Sequence, residues 1–291
     1  MAIGSGVVWS VGAVMSRRAE HSDAFQYLIW RSLAIIAVIE VMSAVQRKPF
    51  PTVRAWRSGR TMMLANVGLF LASIAFVYAV KTTTAANAAF LSSLTPLVAV
   101  IFARALGERL SRSTIVALAV GVVGLVVTVV SDLEAGNAAG NAAAFAASIG
   151  FALYTTALRT DPERDWSAVM PGYGLLMIVV CGAVTLANGK SLLPPLGDTL
   201  YALTHGAVVI VVGTMMFNAA THHVPAVPMT VFAQTEMVFV PVWAFVVLGE
   251  APRPLTVVGG AIIFAAVVGK AWWDTRAGHQ EFTTAPDVPL L

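Results

Sequence analysis

The chain has 291 residues, of which 58% are hydrophobic and only 11% charged, and its mean hydropathy is +0.80. A soluble domain carries about a quarter charged residues, so a water-soluble enzyme or nucleic-acid-binding domain is set aside. The net charge of +3 comes from basic residues in short connections, and the single cysteine, Cys181, cannot form an internal disulfide.

A helix needs roughly 17 to 25 apolar residues to cross a bilayer. Ten runs approach that length, at about 2–16, 25–45, 61–80, 85–103, 113–130, 139–158, 167–187, 199–219, 226–248 and 255–273. Glycines and prolines punctuate many of them, which predicts closely packed helices; barrel strands would alternate every second residue. The expected fold is all-α, a polytopic bundle of ten transmembrane helices around a central cavity.

The first run is short and lacks a charged leader with a cleavage site, so it is read as a retained helix. Ser5, Trp9, Gly12 and Ser16 share one of its faces, and Trp9 is either a cavity wall or a packing anchor. Arg31 lies about two turns into the second run, where it either snorkels to the surface and pairs locally or binds a substrate carboxylate. Glu40, near the far end of that run, is explained by solvent access. In the third run Asn66, Phe70 and Ser73 share a face. Asn66 serves either a solute or an interhelical hydrogen bond. Tyr78 follows near the end of this run as a lesser candidate.

In the fourth run Phe90, Ser93 and Leu97 align, and the fifth contains Gly121 and Gly124. The sixth offers Ser148, Phe151 and Thr155 with Tyr154 beside them, the seventh Tyr173 and the eighth Asn218. In the ninth, Met229, Phe232, Glu236, Phe239 and Trp243 follow steps of three and four residues and so share one helix face. A carboxylate at that depth costs several kcal/mol unless it meets water or a partner, which turns the face toward the interior. Glu236 then either lines a cavity with these rings or is a structural acid bonded to a neighbouring helix.

Connections are mostly under about fifteen residues, leaving no room for a soluble catalytic domain, and the tail 277–291 is read as flexible. HExxH, Gly-x-Ser-x-Gly and Walker motifs are absent, as are paired intramembrane aspartates, so no catalytic residue and no cofactor are expected. His222 and His223 are adjacent in a short connection, and no metal site is read there or at His205.

Ala105-Leu106-Gly107-Glu108 recurs as Val247-Leu248-Gly249-Glu250, 142 positions on. The same shift matches Trp9 to Phe151, Arg17 to Arg159 and Phe90 to Phe232. Five spans per half is an odd number, so the second half is inverted relative to the first, dividing the chain at 1–137 and 138–276. Inverted repeats build secondary transporters that alternately expose a site near the midplane. Both Leu-Gly-Glu motifs fall at span ends and read as caps. Twelve basic residues fall on the side of Arg54 and Arg164, and five, Arg17, Arg18, Lys81, Lys190 and Arg253, on the other. That excess places both termini in the cytoplasm of a multi-pass inner (plasma) membrane protein.

Gly6-x-x-Trp9, Arg31, Asn87 to Pro96 running into Leu106-Gly107-Glu108, Gly121 with Gly124, and Leu248-Gly249-Glu250 after Pro241 together resemble the drug/metabolite transporter superfamily and its ten-helix EamA-type exporters. The resemblance is greatest to the YddG-type aromatic amino-acid exporter branch. It implies export of amino acids such as phenylalanine, tryptophan, methionine and threonine, and of related metabolites, through an apolar cavity. The partners expected are a small solute and membrane lipid, without nucleic acid, with a monomer as a sufficient unit. Export of other metabolites or drugs, and a non-transporting receptor or scaffold, are the alternatives.

Overall fold

A computed structural model of the chain describes residues 2–105, 112–133, 138–160, 164–221 and 235–277. Regular structure among these residues is entirely helical. A bilayer core offers no water to backbone groups, so each crossing segment must satisfy its own N–H and C=O groups. Among the described residues eight helices are long and apolar enough to cross, and a shorter apolar helix spans Thr235–Leu248. With α1 (Ala2–Arg18), these correspond in order to the ten expected spans.

The second span, α2 (Ala24–Val45), starts on a capping box: Asp23 accepts from the Gln26 amide, and the Gln26 side chain accepts in return. A short helix absent from the apolar-run reading, α3 (Pro51–Arg57), occupies the next connection and begins on proline. The third span is α4 (Arg60–Thr82). The fourth is divided into α5 (Ala85–Ser92) and α6 (Thr95–Ala105), because Pro96 has no amide hydrogen to continue the ladder. Then come α7 (Arg112–Leu133), α8 (Ala138–Arg159) and α9 (Val169–Ala187).

The eighth span is α10 (Leu196–Thr204), a π-helical segment at His205–Ile210, and α11 (Val211–Thr221). The ninth contains α12 (Thr235–Trp243) and a second π-helical segment, Ala244–Leu248. Gly249 stops it in the left-handed conformation (φ 70°), the capping role expected of this Leu-Gly-Glu motif. The last span is α13 (Pro254–Ala277).

Helix α4 packs along α8, α7 along α13 and α2 along α9, while α1 lies between α11 and α12. Small residues set the closest approach. A Cβ at Gly150 of α8 would lie 2.3 Å from the Ala72 amide nitrogen and 2.7 Å from the Gly68 carbonyl oxygen. The α7–α13 seam repeats the device, with Gly124 against the backbone of Gly259.

Polar contacts gather at the two ends of the bundle. At one end Arg17 pairs with Glu250 and Lys190 with Asp23, at 2.8 Å for the latter. At the other, Arg54 pairs with Asp165 at 2.8 Å, and Glu40 accepts from the Thr52 amide at 2.8 Å. The loops assigned to a common side therefore meet one another in space.

Candidate functional site

Four spans bring aromatic rings together inside the bundle. Trp9, half-buried on α1, has its ring centroid 5.3 Å from Phe217 on α11 and 6.5 Å from Phe151 on α8, the latter edge-on at 85°. Phe151 continues to Tyr154 at 5.5 Å. Room for the indole comes from Gly213, where a Cβ would lie 2.5 Å from the ring. Trp9 and Phe151 occupy equivalent positions in the 142-residue echo, so two matched residues meet face to edge.

The α12 rings approach from the other side of α1. Phe239 and Trp243 lie 6.1 Å apart, and the Trp243 Nε1–H donates to Ser10 Oγ at 2.9 Å. Ser10 itself donates to the Val7 carbonyl at 2.6 Å. This fixes the Trp243 indole on the helix that carries Trp9. Glu236 is half-buried at the start of α12.

Other expected lining residues pack elsewhere. Phe90 is buried with Leu94, Leu97, Met237 and Ile263, and a Cβ at Gly260 would lie 2.6 Å from its ring, so it fills the seam with α13. Asn66 is fully buried; its Nδ2 donates to the Ala55 carbonyl at 3.2 Å, and its Oδ1 faces Gly172. Its amide hydrogen bond ties α3 to α4. Tyr154 is buried among Met62, Ala65 and Trp166. Tyr78 is half-buried, 6.2 Å from Phe25. Phe232, the Asn218 side chain and Leu106-Gly107-Glu108 lie outside the described residues.

Tyr78 and Phe25 belong to a cavity of about 540 Å³ at the end of the bundle holding Arg17, Glu20, Asp23, Lys81 and Glu250. Arg17 directs both Nε, at 2.7 Å, and Nη2 onto Glu250 Oε1, while Oε2 accepts from the Ala85 amide at 3.3 Å. Arg18 donates to the Val247 carbonyl at 2.7 Å. One carboxylate thus ties the end of α1 and the start of α5 to the turn after the ninth span. Lys81 donates to the Ala19 and Ser22 carbonyls and lies 5.4 Å from the Tyr27 ring centroid. Burial alone would raise the Asp23 carboxyl, but the Lys190 ammonium and the Gln26 amide outweigh it and hold Asp23 below its usual 3.8.

Arg31 does not snorkel. Its side chain is 2% exposed, with Nη2 donating to the Ser73 hydroxyl of α4. The face of α2 that carries Tyr27 and Arg31 turns inward onto the π-helical segment, where a Cβ at Gly206 would meet the Arg31 carbonyl oxygen at 2.1 Å. Beside it the Tyr27 hydroxyl and His205 Nδ1 share a 2.8 Å hydrogen bond. His205 is buried, and no group of three or more His, Cys, Asp or Glu residues suited to a metal occurs among the described residues.

Comparison with known proteins places this geometry. The sequence matches the EamA-like transporter family twice, over residues 1–130 and 138–270. An uncharacterized transporter of Archaeoglobus fulgidus is 25% identical over 222 residues, which cover 76% of this chain and 79% of that protein. A protein of known crystal structure aligns over 96% of this chain and 97% of its own, with a TM-score of 0.69 and 20% identity, and shares the fold.

Proposed function

The chain belongs to the EamA-like transporter family, and from that membership we propose that it exports amino acids, chiefly aromatic and other apolar ones, together with related metabolites, by alternating access. The observation that carries this reading is the ring group of Trp9, Phe151 and Phe217, with Phe239 and Trp243 joined to the same helix through Ser10. An apolar, aromatic lining receives an aromatic or aliphatic side chain and discriminates related ones by only about 1 to 3 kcal/mol, which suits a short list of similar solutes. The YddG-type branch is the proposed relative in function.

The two family matches, 1–130 and 138–270, support two five-helix halves divided at 1–137 and 138–276. Inversion between them relates α1 to α8, and the packing of α4 on α8 to that of α11 on α1. Trp9 and Phe151 then lie close to the axis relating the halves, where rocking exposes a solute first to one side and then to the other. The basic-residue excess orients both termini to the cytoplasm of the inner membrane. Glu236 is the coupling candidate: export driven by an imposed pH gradient should lose that dependence in Glu236→Gln while passive exchange persists.

Liposomes carrying the purified protein and loaded with labelled phenylalanine, tryptophan, methionine or threonine test the reading. It expects efflux above that of protein-free liposomes for at least the aromatic pair. Efflux of none of the four would overturn it.

A further inference from the structure

The Arg31 guanidinium is a fixed positive charge inside the bundle, and none of the described carboxylates pairs with it. It is 2% exposed on a membrane-spanning helix, and its Nε–H is fully buried with no hydrogen-bond partner. Guanidinium stays protonated at any physiological pH, so it cannot escape the cost of burial by losing its proton. A charge at such depth is retained where it meets a counter-charge or a functional ligand.

Among the described residues none supplies a counter-charge. Of the 15 acidic residues in the sequence, only Glu40 and Glu236 fall within the apolar runs. Glu40 is nine positions further along α2, roughly 13 Å away at 1.5 Å per residue, and bonds Thr52. Glu236 is on α12, outside ion-pair distance. Asp198, near the mouth, is taken by the His21 and Ser22 amides at 2.9 and 2.6 Å.

The chemistry of the vacant group is specific. Nε–H is free, and Nη2 donates to Ser73. These two nitrogens form one edge of the guanidinium, the fork from which a carboxylate accepts two parallel hydrogen bonds. Ser73 is half-buried and stands one helical turn from Phe70 on the same face of α4, with the Tyr173 hydroxyl interacting with it from α9. The π-helical segment at 205–210 packs on the Arg31 backbone carbonyl, and π-helical turns of this kind are frequent at functional sites.

We propose that Arg31 and Ser73 form the carboxylate subsite of the transported solute: as the halves move, the carboxylate accepts from Nε and Nη2, and the Ser73 hydroxyl turns to donate to it. The proposal rests on the amino-acid transport reading and deepens it, because it makes a carboxylate, rather than an amine or an apolar ring alone, the obligatory part of the solute. Lysine cannot replace arginine here, since a point charge offers no fork.

The test compares efflux of phenylalanine, 3-phenylpropionate and phenethylamine from liposomes carrying the wild-type protein, Arg31→Gln, Arg31→Lys or Ser73→Ala. Wild type should move the two carboxylates. Arg31→Gln should raise the half-saturating concentration for both at least tenfold, Arg31→Lys and Ser73→Ala several-fold, and phenethylamine flux should stay at the protein-free level in every case. Tryptophan-fluorescence titration of the solubilised proteins with phenylalanine should show the same order, and would report binding even for a variant too slow to transport. Phenylalanine binding and flux unchanged in folded Arg31→Gln would overturn the subsite, as would wild-type phenethylamine flux comparable to that of phenylalanine. Absence of wild-type flux for every solute would instead refute the transport reading.

Discussion

Cutting the Arg17–Glu250 pair should open the mouth of the bundle that holds it. Both nitrogens of one guanidinium edge meet a single carboxylate oxygen, and the second oxygen takes the Ala85 amide, so α1, α5 and the turn after the ninth span share one acceptor. The two side chains are 28% and 25% exposed, which screens the pair partially. An exposed pair contributes about 0.2 to 1 kcal/mol and a charge-assisted hydrogen bond about 1.5 to 3, so about 1 to 2 kcal/mol is expected here. That corresponds to roughly a 5- to 30-fold shift between closed and open mouths. Ala24, buried and lining the mouth cavity, is the reporter position. In a Cys181→Ala, Ala24→Cys background, Arg17→Gln or Glu250→Gln should speed labelling by a membrane-impermeant maleimide by that factor. The double variant should label no faster than the faster single one. A change below about twofold in both single variants would refute the reasoning, because the mouth would then be closed by packing alone.

Gly150→Ala should lower the thermal unfolding midpoint in detergent, because its Cβ meets backbone atoms that cannot swing aside; the cost is about 1 to 3 kcal/mol. Gly182→Ala, inside α9 with nothing within 4 Å of its Cβ, is the matched control and should not lower the midpoint, since alanine is the better helix former. The Asp23 cap makes a pH-dependent contribution. A carboxyl depressed in the folded state stabilises above its unfolded value and loses that effect as pH falls through the folded one, so the stability gap between wild type and Asp23→Asn, which keeps the cap and loses the Lys190 pair, about 0.2 to 1 kcal/mol, should hold above about pH 4 and close as pH falls below 3.8. Trp9→Ala removes ring contacts to Phe151 and Phe217 and should raise the half-saturating phenylalanine concentration about five- to tenfold in liposome efflux, with the fold retained by circular dichroism.

The helical architecture was legible because lipid forces every crossing segment to satisfy its backbone internally, which leaves long apolar runs in the sequence. Helix α3 was not legible: seven residues including two arginines and a tryptophan form a run too short and too polar to register. Trp9 and Phe151 were legible as echo partners, and they touch. Phe90 shares that echo signal with Phe232, yet its direction is decided by the space at Gly260 on α13, a position far along the chain. Asn66 presented two uses of equal chemistry; its Nδ2 meets the Ala55 carbonyl on a short helix that the apolar runs do not show. Arg31 is the most informative departure. Depth alone favoured a route to the surface, while the i, i+4 spacing with Tyr27 marked a polar face that the structure turns inward.

Trans-stimulation separates a rocking carrier from an open pore or an inert scaffold. Efflux of labelled phenylalanine from liposomes carrying the protein should accelerate when unlabelled phenylalanine is added outside, since a loaded carrier returns its site faster than an empty one if the two halves rock about a single chamber. Efflux that proceeds at the same rate whatever lies outside, or that never exceeds protein-free liposomes, would contradict alternating access to an aromatic amino-acid site.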